Sequence, residues 1–182
     1  MKIRNDFVSN SSSSSFIVIC HDAMTDETSK IKQSYESSSY VFPNIDYKTK
    51  FGWEFEDTHS FEGKLNFIGL QLLYIRTMEL DNDNTRSSYC GRFDELYDMT
   101  KNVCREQFGL DVELDFSMIK YGEYEYEGKN ISYHDVDMYK GYIDHQSCVA
   151  ENSCMEMFDS ESNLINFLCN SESFVRGGND NV

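Results

Sequence analysis

The sequence predicts a single α+β domain over residues 1–182, with a mostly antiparallel sheet and two to four helices. Three observations carry that reading. Several short stretches alternate apolar and polar residues with period two, the mark of half-buried strands. Two longer stretches space their apolar residues as helices do. Strands and helices are interspersed, and the strand stretches around 110–127 follow one another closely enough to read as hairpins. A hydrophobic fraction of 40%, an aromatic fraction of 14% and one proline describe a chain that can supply a core, not a disordered one.

Residues 1–7 (MKIRNDF) read as a short strand, and 9–15 (SNSSSSS) as a polar low-complexity run that cannot pack. Residues 16–20 (FIVIC) are apolar on both faces, which predicts a central, buried strand. After Thr25 a surface helix is expected, with Thr25 or Asp26 as its cap and only Ile31 and Tyr35 as apolar content. Tyr40, Val41 and Phe42 form a short strand before Pro43, and 43–50 is a loop. Residues 51–56 alternate Phe51, Trp53 and Phe55 with Glu54 and Glu56, another half-buried strand. The stretch 62–80 is apolar almost all round and predicts a buried helix. Gly69 inside it costs up to about 1 kcal/mol relative to Ala, which points to a close contact with another helix. Residues 81–88 are a loop. In 91–108, Phe93, Leu96, Met99, Val103 and Phe108 recur at helical spacing, and Gly109 stands where a C-cap glycine belongs. Residues 139–148 form a further strand, Asp159 or Ser160 caps a short helix through Leu164 and Leu168, and 173–182 end in a short strand or tail.

The stretch 109–137 holds eight acids in 29 residues, against only Lys120 and Lys129. Asp111, Glu113 and Asp115 alternate with Val112, Leu114 and Phe116, and Glu123, Glu125 and Glu127 alternate with Tyr124 and Tyr126. This predicts strands with one face on the core and a wet face made of carboxylates. Same-face residues lie about 6.6–6.8 Å apart on a strand, so the row repels itself and costs stability. A binding role is one reason to tolerate that cost, and a solubilising edge that blocks strand pairing is the other. Asp111, Glu113, Asp115, Glu123, Glu125, Glu127, Tyr124 and Tyr126 are therefore the candidate partner-binding set. Twelve tyrosines accompany the acids, and Tyr121, Tyr124, Tyr126, Tyr133, Tyr139 and Tyr142 serve either as interface area or as strand filling.

The net charge is −16, and it is uneven. Residues 1–108 carry 17 acids and 12 bases, whereas 109–182 carry 15 acids and 4 bases. Such a balance excludes nucleic acid and anionic membrane as direct ligands, because both require Lys and Arg. It favours a basic protein partner. The opening MKIRNDF lacks an apolar signal region, and no apolar run of about 18 residues occurs. The expected location is the bacterial cytoplasm, with the six cysteines reduced.

Motif by motif, catalytic chemistry finds little footing. An EF-hand reading of 81–92 fails because position six is Arg86 and position twelve Arg92. His145, Cys148 and Cys154 lack the fourth, paired ligand of a zinc site unless His134 joins through the fold. Nothing marks any cysteine as activated beside a histidine. The pairs Glu54/Glu56 and Asp135/Asp137 read as solvated acids, and no P-loop, G-x-G-x-x-G or G-x-S-x-G occurs. No catalytic residue, metal or cofactor is expected.

The opening MKIRNDFVSNSSSSSFIV and the ending NLINFLCNSESFVRGGNDN resemble the two ends of a group of small proteins of Firmicutes and their phages. The resemblance covers about the first 20 and last 20 residues and transfers no chemistry. By size, charge and the mobile-element setting that this implies, the chain is also similar to anti-CRISPR proteins, which block type II RNA-guided Cas nucleases. That likeness implies a phage or mobile-element inhibitor that binds a Cas nuclease or its guide-RNA complex and blocks DNA binding or cleavage. Carboxylates about 6.6–6.8 Å apart would match about every second phosphate of one DNA strand. The alternative is a non-enzymatic interaction module whose acidic face serves only solubility.

Overall fold

A computed structural model describes residues 16–21, 25–43, 57–82, 87–136 and 154–176. The strands expected at 1–7, 51–56 and 139–148, the serine run, and His145, Cys148, Glu54, Glu56 and Asp137 lie outside the described residues.

The core is built on one helix, α2 (Phe61–Leu80), 20 residues long and so about 30 Å. It starts where Ser60 accepts the backbone N–H of Gly63 at 3.2 Å, with Glu62 favourably placed in its first turn. Leu65, Phe67, Ile68, Leu70, Leu72, Leu73 and Ile75 are fully buried, so apolar residues on every side of this helix meet other elements. Gly69 is required, but not by a helix. A Cβ there would stand 2.5 Å from Phe42 Cδ2 and 3.0 Å from Pro43 N, where a strand end crosses α2.

That strand is β2 (Ser38–Phe42), which follows α1 (Thr25–Tyr35). Helix α3 (Phe93–Phe108) buries Phe93, Leu96, Thr100, Val103, Cys104 and Phe108 on one face. It ends at Gly109, whose φ of 65° and N–H bond to Arg105 O at 3.0 Å make the expected left-handed cap. Strand β3 (Leu110–Leu114) then alternates buried and exposed residues as the sequence predicts. Its partner is β2, and the pairing is parallel, Ser38 opposite Leu110 through Phe42 opposite Leu114. Residues 110–114 are therefore not part of a hairpin with the acidic stretch that follows.

A 3₁₀ turn at Phe116–Met118 separates β3 from the hairpin of β4 (Ile119–Tyr126) and β5 (Lys129–Val136). Glu127 (φ 50°) and Gly128 (φ 75°) form its two-residue loop, the left-handed pair that a tight hairpin demands. Helix α4 (Glu161–Cys169), capped by Ser160, leads to β6 (Phe174–Arg176). Strand β1 (Phe16–Val18) pairs antiparallel with β6. The apolar run 16–20 is thus not a central strand. Ile17 and Ile19 are only half-buried, because β6 covers one edge and no described strand covers the other.

The fold is α+β, with four helices among the described residues and strands in three two-stranded sheets, two of them antiparallel. No helix among the described residues is long and apolar enough to cross a membrane.

Candidate functional site

The expected row of six carboxylates is divided among three settings. Asp111 and Glu113 lie on the exposed face of β3, in the β2–β3 sheet. Asp111 there accepts Arg105 Nε at 2.8 Å, which offsets its charge. Asp115 has left the strand. It caps the 3₁₀ turn and accepts the backbone N–H of Ser117 at 3.1 Å. Only Glu123 and Glu125 share one strand face in β4, and Glu127 sits in the loop at the tip. The split follows from the 3₁₀ turn, which breaks the period-two alternation between Leu114 and Ile119.

The β4–β5 hairpin differs from the expected strand in a second way. Tyr124 and Tyr126 do not face a core. Residues 123–130 are all exposed, so the distal half is a ribbon with water on both faces. The tyrosines are 59% (Tyr121), 51% (Tyr124), 59% (Tyr126) and 40% (Tyr133) exposed.

Register divides the ribbon into two chemically distinct faces, because directly opposed residues project to the same side. On one face Tyr121, Glu123 and Glu125 stand opposite His134, Ser132 and Asn130. The Tyr121 hydroxyl donates to Glu123, which raises the phenol's pKa. The Tyr121 ring also meets His134 edge-on at 5.5 Å. On the other face Gly122, Tyr124 and Tyr126 stand opposite Tyr133, Ile131 and Lys129. Gly122 has a reason to be glycine: a Cβ would sit 2.5 Å from Tyr133 Cζ, so the ring lies over the bare backbone. Tyr133 in turn packs edge-on against Tyr124, with centroids 5.7 Å apart.

The base of the ribbon is anchored to α2. Asp81, the C-cap of α2, accepts the backbone N–H of His134 at 2.9 and 3.0 Å and pairs with His134 Nδ1 at 2.7 Å. The carboxylate stands at the negative end of the helix dipole, and the His134 backbone N–H and ring nitrogen are its partners there. Tyr74 bonds to Asp135, and burial first and then that carboxylate raise the Tyr74 phenol's pKa well above its ordinary value. Val136 and Met118 are buried in the core. An anchored base thus carries an exposed tip.

A second cluster of titratable groups lies where the two ends of the described chain meet. Lys64 is 1% exposed, and its Nζ donates to Asn170 O at 2.8 Å and Ser173 O at 3.2 Å. Burial lowers its pKa to about 8, against the opposing pull of Cys169, Glu27 and Cys20. Around it, Asn170 Nδ2 donates to Cys20 O at 3.1 Å, Cys20 N donates to Ser173 Oγ at 2.9 Å, and Asn166 Nδ2 lies 2.9 Å from His21 Nδ1. Burial raises the Cys169 thiol, the opposite of activation. These groups staple β1 and β6 to α2 and α4. Among the described residues no three His, Cys, Asp or Glu side chains are placed to hold a metal ion, and Cys20, Cys90, Cys104, Cys154 and Cys169 form no disulfide.

Sequence reading therefore names the ribbon's acids and tyrosines but not their grouping. The parts of Gly122, Ile131 and His134 were legible only through the Glu127-Gly128 turn, which folds Tyr124 onto Ile131, and Asp81 carries no local signal of its contact with His134. No protein-family model, curated protein or solved structure matches the chain.

Proposed function

We propose that the chain is a non-catalytic inhibitor from a phage or mobile element that binds a host defence nuclease. The target class is a type II RNA-guided Cas nuclease, whose heteroduplex channel is basic. The observation that carries this reading is the β4–β5 ribbon, eight consecutive exposed residues that display tyrosines and carboxylates on an anchored base. Exposed aromatics on a soluble protein are interface material, and a net charge of −16 steers the chain to a basic surface. The ribbon face has only two carboxylates in line, Glu123 and Glu125, which is short for a strand of phosphates. Inhibition on this reading is by occupying the basic surface, with long DNA mimicry a lesser part. The acids of β3 fit the solubility role instead, since Arg105 offsets Asp111 and Asp115 is spent on a turn.

The test is plasmid cleavage by a panel of type II guided nucleases, with the protein added before or after guide loading, at low and raised salt. Inhibition that weakens with salt is the expected result. Unimpaired cleavage across the panel rejects the target class.

A further inference from the structure

We infer that the ribbon docks by insertion into an arginine-bearing cleft of its protein partner, whose two walls meet the ribbon's two faces. This rests on the binding role proposed above and adds the partner's shape and chemistry. The shape follows from exposure. Residues 123–130 are exposed on both sides, and tyrosines occur on both, Tyr121 on one face and Tyr124, Tyr126 and Tyr133 on the other. A flat partner covers one face and leaves the other's aromatics in water. A cleft covers both. A two-stranded ribbon with strands about 4.8 Å apart is narrow enough to enter one.

The chemistry follows from charge and ring placement. Glu123 and Glu125 project from the same face as the Tyr121 ring, so one guanidinium can lie on the ring while a neighbouring carboxylate accepts its N–H groups. On the other face Lys120 stands opposite Asp135 near the base and Lys129 stands at the tip, and the surface of Tyr124, Tyr133 and Ile131 between them carries no charge of its own. Arginine suits both faces, because its planar cation stacks on tyrosine and is weakly hydrated. The compact, strongly hydrated ammonium of lysine does neither as well. The ribbon is also prepared for binding. The Tyr124–Tyr133 contact and the Asp81–His134 anchor hold the rings and the base before a partner arrives.

The experiment titrates the full-length, isotope-labelled chain with an oligoarginine and an oligolysine peptide of equal length, followed by amide chemical shifts. The expected result is that shifts map to 121–134 on both faces, and that oligoarginine binds severalfold more tightly, because its planar cation stacks and forks where the ammonium does not. Tyr121→Ser and Tyr126→Ser each reduce that preference, and Glu123→Gln with Glu125→Gln weakens both peptides, oligoarginine the more. Tyr126→Ser leaves the Tyr124–Tyr133 contact in place, so its effect does not depend on refolding the hairpin. Shifts that map elsewhere, equal binding of the two peptides, binding of neither, or sensitivity to one face alone each overturn the inference. Oligoarginine on the ribbon with no nuclease inhibited leaves the docking surface standing and removes the target class. Inhibition with the peptide mapped elsewhere does the reverse.

Discussion

The clasp around Lys64 and the β4–β5 ribbon treat polar and apolar surface in opposite ways. In the clasp a cation, three amide or hydroxyl side chains and the chain's backbone are buried, and each finds a partner. In the ribbon, tyrosines that would serve a core stand in water. Burying a paired cation contributes little net stability but specifies one geometry, because any other arrangement orphans the charge. Exposing aromatics forgoes burial energy, which on the proposed function is kept for a partner. One region fixes the chain to itself, and the other holds its contacts in reserve.

Breaking the clasp has the largest expected effect. Lys64→Ala takes the ammonium donor from Ser173 O, leaves Asn170 O with only the Ser173 N–H, and opens a cavity, partly offset by relief of the buried charge. The expected loss is about 3 kcal/mol in urea unfolding. Asp81→Ala comes next, at about 2 kcal/mol, the cost of taking the acceptor from the half-buried backbone N–H and the ring nitrogen of His134. It is read by unfolding and by faster amide exchange at His134 than at Val103.

Alkaline pH sharpens the comparison. Lys64 has a folded pKa of about 8 against an ordinary 10.5, so its burial penalty is complete below pH 8 and is removed as pH rises toward 10.5. Relative to Lys64→Met, the natural protein gains about 1 kcal/mol between pH 7 and pH 9. The comparison with that variant is needed because burial raises the thiols of Cys104, to about 12, and Cys169. They hold protons in the fold and subtract stability as pH passes the ordinary thiol range, Cys104 in both proteins alike and Cys169 more in the variant, which lacks the Lys64 charge that lowers this thiol. The smallest effect belongs to the ribbon tip, where Tyr126→Ser changes stability by less than about 0.5 kcal/mol while weakening partner binding.

Local signals were legible and pairings were not. The helical spacing from Phe93 to Phe108 and the glycine after it place α3 almost to the residue. The alternation in 110–114 predicts a strand, but its partner β2 lies across two helices in the chain, and no period in either segment specifies that distance. Gly69 signals a close approach without saying that Phe42 makes it. Tyr124 and Tyr126 read as core-facing because alternation cannot tell a face against protein from a face against water. Lys64 was hidden in a different way. A helix apolar on nearly every side buries most of what it carries, Lys64 included, yet only the fold supplies the carbonyls that make this tolerable.

The central claim is that the ribbon binds and the clasp holds the fold. The most direct measurement is guided-nuclease cleavage with the natural protein, Lys64→Met, and the combined variant Tyr121→Ser, Glu123→Gln, Glu125→Gln and Tyr126→Ser, each at equal folded concentration. Lys64→Met is expected to inhibit as the natural protein does and the ribbon variant at least about tenfold less, as expected for loss of two or more interface anchors. Full inhibition by the ribbon variant would contradict it.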